Sequence, residues 1–183
     1  MKAFALIFLV LLIEALPSFA EQHHRDPLND QEIDKIRDAA QDPEVRLKLY
    51  IEFARARLEK LAQIQADMKT PKQDESIRGA LQDFLDVYDE LDTNVDTFAD
   101  RGDDLRKALK PVIEADTEFG AKLRAFKSTL LARPESAKDF TFLLGSALEA
   151  IDAGMKDHRD LLAEQEETFK NKKKDKKHDA KGE

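Results

Sequence analysis

Apolar residues recur along most of this chain with a 3.5-residue period. Ile77, Leu81, Phe84, Tyr88, Leu91, Val95 and Phe98 step by four and three in unbroken alternation. Such spacing draws one stripe down a helix, the seam of a coiled coil or helical bundle. A second stripe runs Leu47, Ile51, Ala54, Leu58, Leu61 and Met68, interrupted at Gln65 and flanked by Lys48, Arg55 and Arg57. A third holds Leu105, Leu109, Val112, Phe119, Leu123, Phe126 and Leu130, and a fourth Phe140, Leu144, Ala147, Ile151, Leu161 and Leu162. No stretch alternates with the period of two that a half-buried strand requires.

Punctuation between the stripes sets the helix ends. Asp42-Pro43-Glu44 offers an N-cap side chain, proline at the first helical position and an acid at the positive end of the dipole. Thr70-Pro71 and Arg133-Pro134 are stops, Arg101-Gly102 is a helix end, and Asp103 or Asp104 is a possible cap. Ser136 with Asp139 three residues on resembles a capping box. The expectation is an all-α fold: an elongated up-down four-helix bundle with helices at about 43–69, 74–101, 104–132 and 136–169, preceded by a short helix after Asp30 carrying Ile33 and Ile36. Pro111 should kink the fourth of these five. The heptad phase also passes through Gly102 without a slip. The alternative is therefore an extended coiled coil in which one kinked helix runs from about Ser76 to Ala132.

The ends of the chain have a different character. Met1-Lys2, the apolar run Ala3–Ile13 and the small residues Ser18 and Ala20 have the layout of a secretory signal peptide over residues 1–20. The run is too short for a membrane span, which takes about 20 apolar residues. Residues 21–41 form a lead-in and the short helix, residues 42–169 the bundle domain. From Lys170 onward seven lysines face three acids with Ala180 the lone apolar side chain, a composition that predicts a disordered tail over 170–183. That tail carries +4 and Lys2 cancels Glu14, so the −8 of the whole chain leaves −12 on residues 21–169.

Charge and composition narrow the function. An acidic body excludes nucleic acid as a natural partner, while the Lys170–Lys177 segment could touch an anionic surface. The chain has no cysteine. Asn29, Asn94 and Asn171 all lack the sequon that follows a glycosylated asparagine. Export without disulfides or sequons points to a bacterial periplasmic or secreted protein.

Candidate chemistry is sparse. Ser128, Ser136 and Ser146 lack a glycine elbow, and no glycine-rich phosphate loop occurs. His158 lies on the fourth stripe, where a satisfied, partly buried histidine is the expected role. Cleavage after Ala20 would expose Glu21-Gln22-His23, which resembles the amino-terminal copper/nickel-binding motif. The amine, two backbone amides and the His23 imidazole give four nitrogens in a plane, suited to Cu(II) or Ni(II). Between Gly79 and Asp100 seven acids occur without a Lys or Arg. Asp83, Asp86, Asp89, Glu90, Asp96 and Asp100 fall opposite the apolar stripe, a candidate docking ridge for a basic partner or divalent cations. Asp92 falls nearer the seam, within reach of arginines on neighbouring helices. The reading is a non-enzymatic exported helical bundle without a cofactor, working as an interaction, scaffold or chaperone-like module. It engages a protein partner or a second copy of itself. The alternative is a metal- or cation-binding protein using the ridge or Glu21, Gln22 and His23, with Cu or Ni at the amino end.

Overall fold

The computed structural model describes residues 26–67, 72–131 and 140–179, with side chains through residue 171 except that of Leu131. Five helices account for most of them: α1 (Asp30–Asp38), α2 (Pro43–Ala66), α3 (Gln73–Asp100), α4 (Leu109–Leu131) and α5 (Thr141–Asp179). There is no strand among the described residues. The chain is all-helical and compatible with a helical bundle.

Local chemistry explains the boundaries. Asn29 and Glu32 exchange backbone and side-chain hydrogen bonds at 3.0 Å each, a reciprocal cap that starts α1. Asp42 accepts from the Val45 amide at 3.1 Å ahead of Pro43. α3 ends as Gly102 turns left-handed, with φ +77°. The Gly102 amide donates to the Ala99 carbonyl at 2.8 Å and that of Asp103 to Phe98 at 3.1 Å, the paired bonds of a Schellman close. The continuous heptad phase across Gly102 therefore does not produce one long helix. The chain divides there, and the single kinked helix is not formed.

Two further expectations need correction. The helix of the third stripe was expected to begin at Asp103 or Asp104, but α4 begins at Leu109. Gln165 of α5 holds the intervening turn, donating to the Asp103 carbonyl at 3.0 Å and accepting from the Leu105 amide at 2.7 Å. Pro111 is consequently the third residue of α4, in the first turn, where a missing backbone donor costs nothing and no kink is required. The segment from Lys170, expected to be disordered, continues α5 as far as Asp179. Lysine is a good helix former, and its charge is favourable at the negative end of the helix dipole. The Ser136–Asp139 capping box and Met68 lie outside the described residues.

Contacts pair the helices into two hairpins. α2 packs most extensively on α3 and α4 on α5, while α2–α4 and α3–α5 make narrower seams and α1 lies on α2. Side-chain pairs give the directions. Arg46–Asn94, Tyr50–Glu90 and Lys60–Asp83 run in opposite senses along α2 and α3. Asp116–His158 and Arg124–Asp152 do the same along α4 and α5. Asp92–His158, with Tyr88 beside Gly154, advances together, so α3 and α5 run parallel. Phe84 of α3 meets Phe119 of α4 edge-on across the core, ring centroids 5.6 Å apart. Every residue of the Ile77–Phe98 stripe is buried, as are the described residues of the other three up to Ile151.

Candidate functional site

The core is not entirely apolar. Tyr88 and Asp92 from α3, Asp116 from α4 and His158 from α5 converge where three helices meet. Asp116 is 0% and His158 2% exposed. The Tyr88 hydroxyl donates to Asp116 Oδ1 at 2.9 Å, and His158 Nδ1 lies 2.9 Å from Asp116 Oδ2. One buried carboxylate thus uses both oxygens, each on a different helix. On the far side of the imidazole, Nε2 is 3.1 Å from Asp92 Oδ1, close enough for an ion pair but without hydrogen-bond geometry. Gly154, one turn before His158, leaves room for the phenol: a Cβ there would overlap the Tyr88 hydroxyl oxygen.

Electrostatics follow from this geometry. Burial works against a charged imidazole, but the hydrogen bond to Asp116, the contact with Asp92 and the charges of both carboxylates outweigh it, raising the pKa of His158 to about 9. Burial, then the neighbouring Asp116 carboxylate, pushes the Tyr88 phenol above its usual range. The site stores a proton between two carboxylates. Nε2 has no water-accessible surface and faces Asp92 rather than a hydroxyl or thiol, so the histidine and Asp116 do not form a nucleophile-activating pair.

Only part of this cluster was expected. His158 is buried almost completely rather than partly, and it, not an arginine, is the cation that reaches Asp92. Asp116 was overlooked, although the sequence marks it. The third stripe steps Leu105, Leu109, Val112, then Phe119, and the missing member of the four-three series is position 116. An aspartate at a seam position with a histidine at another is a signal for a buried ion pair. Gly154 fills a similar seam position between Ile151 and His158.

The acidic ridge divides in two. Asp83 lies 3.5 Å from Lys60, Asp86 accepts from Gln82 at 2.6 Å, and Glu90 is 3.5 Å from the Tyr50 hydroxyl. Asp89, Asp96 and Asp100 are exposed, and among the described residues none of them is ion-paired. Burial, then Asp92, Asp100 and Asp157, raises the Asp96 pKa against the opposing effect of His158. The flanking arginines of α2 are committed. Arg57 grips the buried Glu32 at 2.6 and 2.7 Å and fastens α1. Burial pushes the Glu32 carboxyl up, but Arg57 and the Asn29 amide more than reverse this. Arg55 forms a two-pronged pair with Glu118 of α4 at 2.8 to 3.1 Å, which draws the Glu118 pKa down to about 2.

Two clefts open beside that pair along the α2–α4 seam. One of about 270 Å³ is lined by Leu58, Leu61, Ala62, Ala125, Phe126 and Thr129 among others. The other, about 240 Å³, lies between Lys48, Ile51, Pro111 and Glu114. Among the described residues no group of three or more His, Asp or Glu is placed to hold a metal ion, and no helix is long and apolar enough to cross a membrane. Glu21, Gln22 and His23 lie outside the described residues. No protein family, characterised protein or solved structure matches this chain.

Proposed function

We propose that this chain is an exported, non-enzymatic helical module that acts through its surface, with residues 42–169 as an up-down four-helix bundle behind a cleaved signal peptide. The observation that carries the reading is the contrast between its sealed and its open chemistry. The groups best suited to moving protons, His158, Asp116 and Tyr88, are each 2% exposed or less and bonded to one another. Among the described side chains, what faces solvent includes a charged strip, Asp89, Asp96 and Asp100 on α3. The alternation of direction from α2 to α5 supports the up-down arrangement.

The exposed strip fits a partner bearing lysine or arginine side chains. The α5 extension beyond Phe169, opposite in sign, fits an anionic surface. Ten residues of helix extend about 15 Å. That is beyond the Debye length of about 8 Å at physiological salt, so the acidic body only weakly opposes the contact. A fluorescent arginine-rich peptide titrated into the full chain tests the strip. Binding should weaken several-fold in Asp89→Asn/Asp96→Asn/Asp100→Asn while the fold is kept. Equal affinity in the triple variant would refute the reading.

A further inference from the structure

The two hairpins are held together along two seams of different chemistry. At α2–α4 the join is an exposed ion pair, Arg55–Glu118, between clefts. At α3–α5 it is the contact of the buried His158 ring with the partly exposed Asp92, beside the close approach of Gly154 to Tyr88. We propose that the second proton on His158 is a latch, closing the α3–α5 seam while it is bound and releasing the α4–α5 hairpin from α3 when it leaves.

Nδ1 has hydrogen-bond geometry to the Asp116 carboxylate and Nε2 lacks it towards Asp92, which assigns the one hydrogen of a neutral ring to Nδ1. The remaining proton therefore belongs to Nε2, 3.1 Å from Asp92 Oδ1. While it is present, a positive ring sits between two carboxylates. Once it is gone, a lone pair faces a carboxylate oxygen with no water-accessible surface on the nitrogen to relieve the repulsion. One contact changes sign, and it lies on the narrower kind of seam. The charges acting on the ring favour its proton: Asp92 and Asp96 from α3 and Asp116 from α4, while Tyr88 of α3 donates to Asp116.

The other contacts inside each hairpin do not involve this proton, and the Nδ1–Asp116 hydrogen bond needs only the hydrogen of the neutral ring. Arg46–Asn94 and Lys60–Asp83 remain to hold α2 on α3, and Arg124–Asp152 to hold α5 on α4. Release therefore hinges the molecule about the α2–α4 seam and parts Phe84 from Phe119. Asp92, 46% exposed at its side chain, is the part of the latch reachable from outside. Removing its charge should release the proton at lower pH.

The absence of cysteine makes the test direct. Spin labels at Thr93→Cys on α3 and Arg159→Cys on α5 report the seam, and a pair at Ser128→Cys and Glu149→Cys reports the α4–α5 hairpin. At neutral pH both distance distributions should be narrow. Above the titration of His158 the 93–159 pair should gain a longer component while the 128–149 pair stays unchanged. In an Asp92→Asn background the proton should leave about 1 to 3 pH units lower, the usual effect of one adjacent opposite charge, but the longer component should stay absent, because the amide can donate to the bare Nε2. A 93–159 distance that ignores the titration would overturn the latch. So would simultaneous broadening of both pairs, which is global unfolding rather than release.

Discussion

The α3–α5 and α2–α4 seams join the same two hairpins with similar inventories, a cation against carboxylates, but in opposite surroundings. The His158 ring and the Asp116 carboxylate of α4 behind it are inside the protein, with only the Asp92 side of the contact open to water at 46%, whereas Arg55 and Glu118 both keep surface in water, 36% and 33% of their side chains. In water an ion pair loses much of its attraction to screening and side-chain entropy, and truncating it costs little. Inside, removing either partner strands the other without solvent. The difference teaches where this molecule depends on charge: at the buried seam, where one proton decides whether a contact attracts or repels.

The sharpest way to break the comparison is Asp116→Ala. It leaves the Tyr88 hydroxyl and the His158 ring without their shared acceptor, and should cost about 3–5 kcal/mol in urea unfolding at neutral pH. A loss below about 1 kcal/mol would put the buried seam on the same footing as the surface pair.

pH separates the seams further. The folded pKa of His158, about 9, lies above its ordinary 6.5. Its contribution is therefore complete below 6.5 and fades as pH rises through about 9. The stability gap between the parent chain and His158→Gln should shrink across that interval. Glu118, drawn from 4.5 to about 2, has the opposite sign: its contribution is present above 4.5 and is lost as pH falls towards 2.

Gly154→Ala should cost about 1–3 kcal/mol, the penalty of overpacking, because the new Cβ meets the Tyr88 hydroxyl. Tyr88→Phe in the same chain should recover part of that loss, and a double-mutant cycle in thermal unfolding reads the coupling. The smallest effect belongs to Glu118→Ala, about 1 kcal/mol or less and smaller still in high salt.

Much of the fold was legible because its signals are local. Four-three spacing located the four buried stripes, Asp42-Pro43 started α2, and Gly102 ended α3. The late start of α4 was not legible, because Gln165, some 60 residues away, holds the turn before it. Helix in the lysine-rich segment was also missed, since composition argues for disorder while propensity argues for helix. His158 was noticed as a seam residue, but its partners come from two other helices, and pairing across a core is invisible to periodicity. Asp116 left a trace all the same, as the one break in an otherwise apolar series.

The central claim is that His158 is an imidazolium at neutral pH, held so by Asp116 and Asp92. Side-chain nitrogen-15 NMR of the full chain tests it most directly, with His158→Gln assigning the signals against the three other histidines. Both ring nitrogens should carry hydrogen at neutral pH and the ring should titrate near 9. A neutral ring with one bare nitrogen, titrating at or below 6.5, would contradict it.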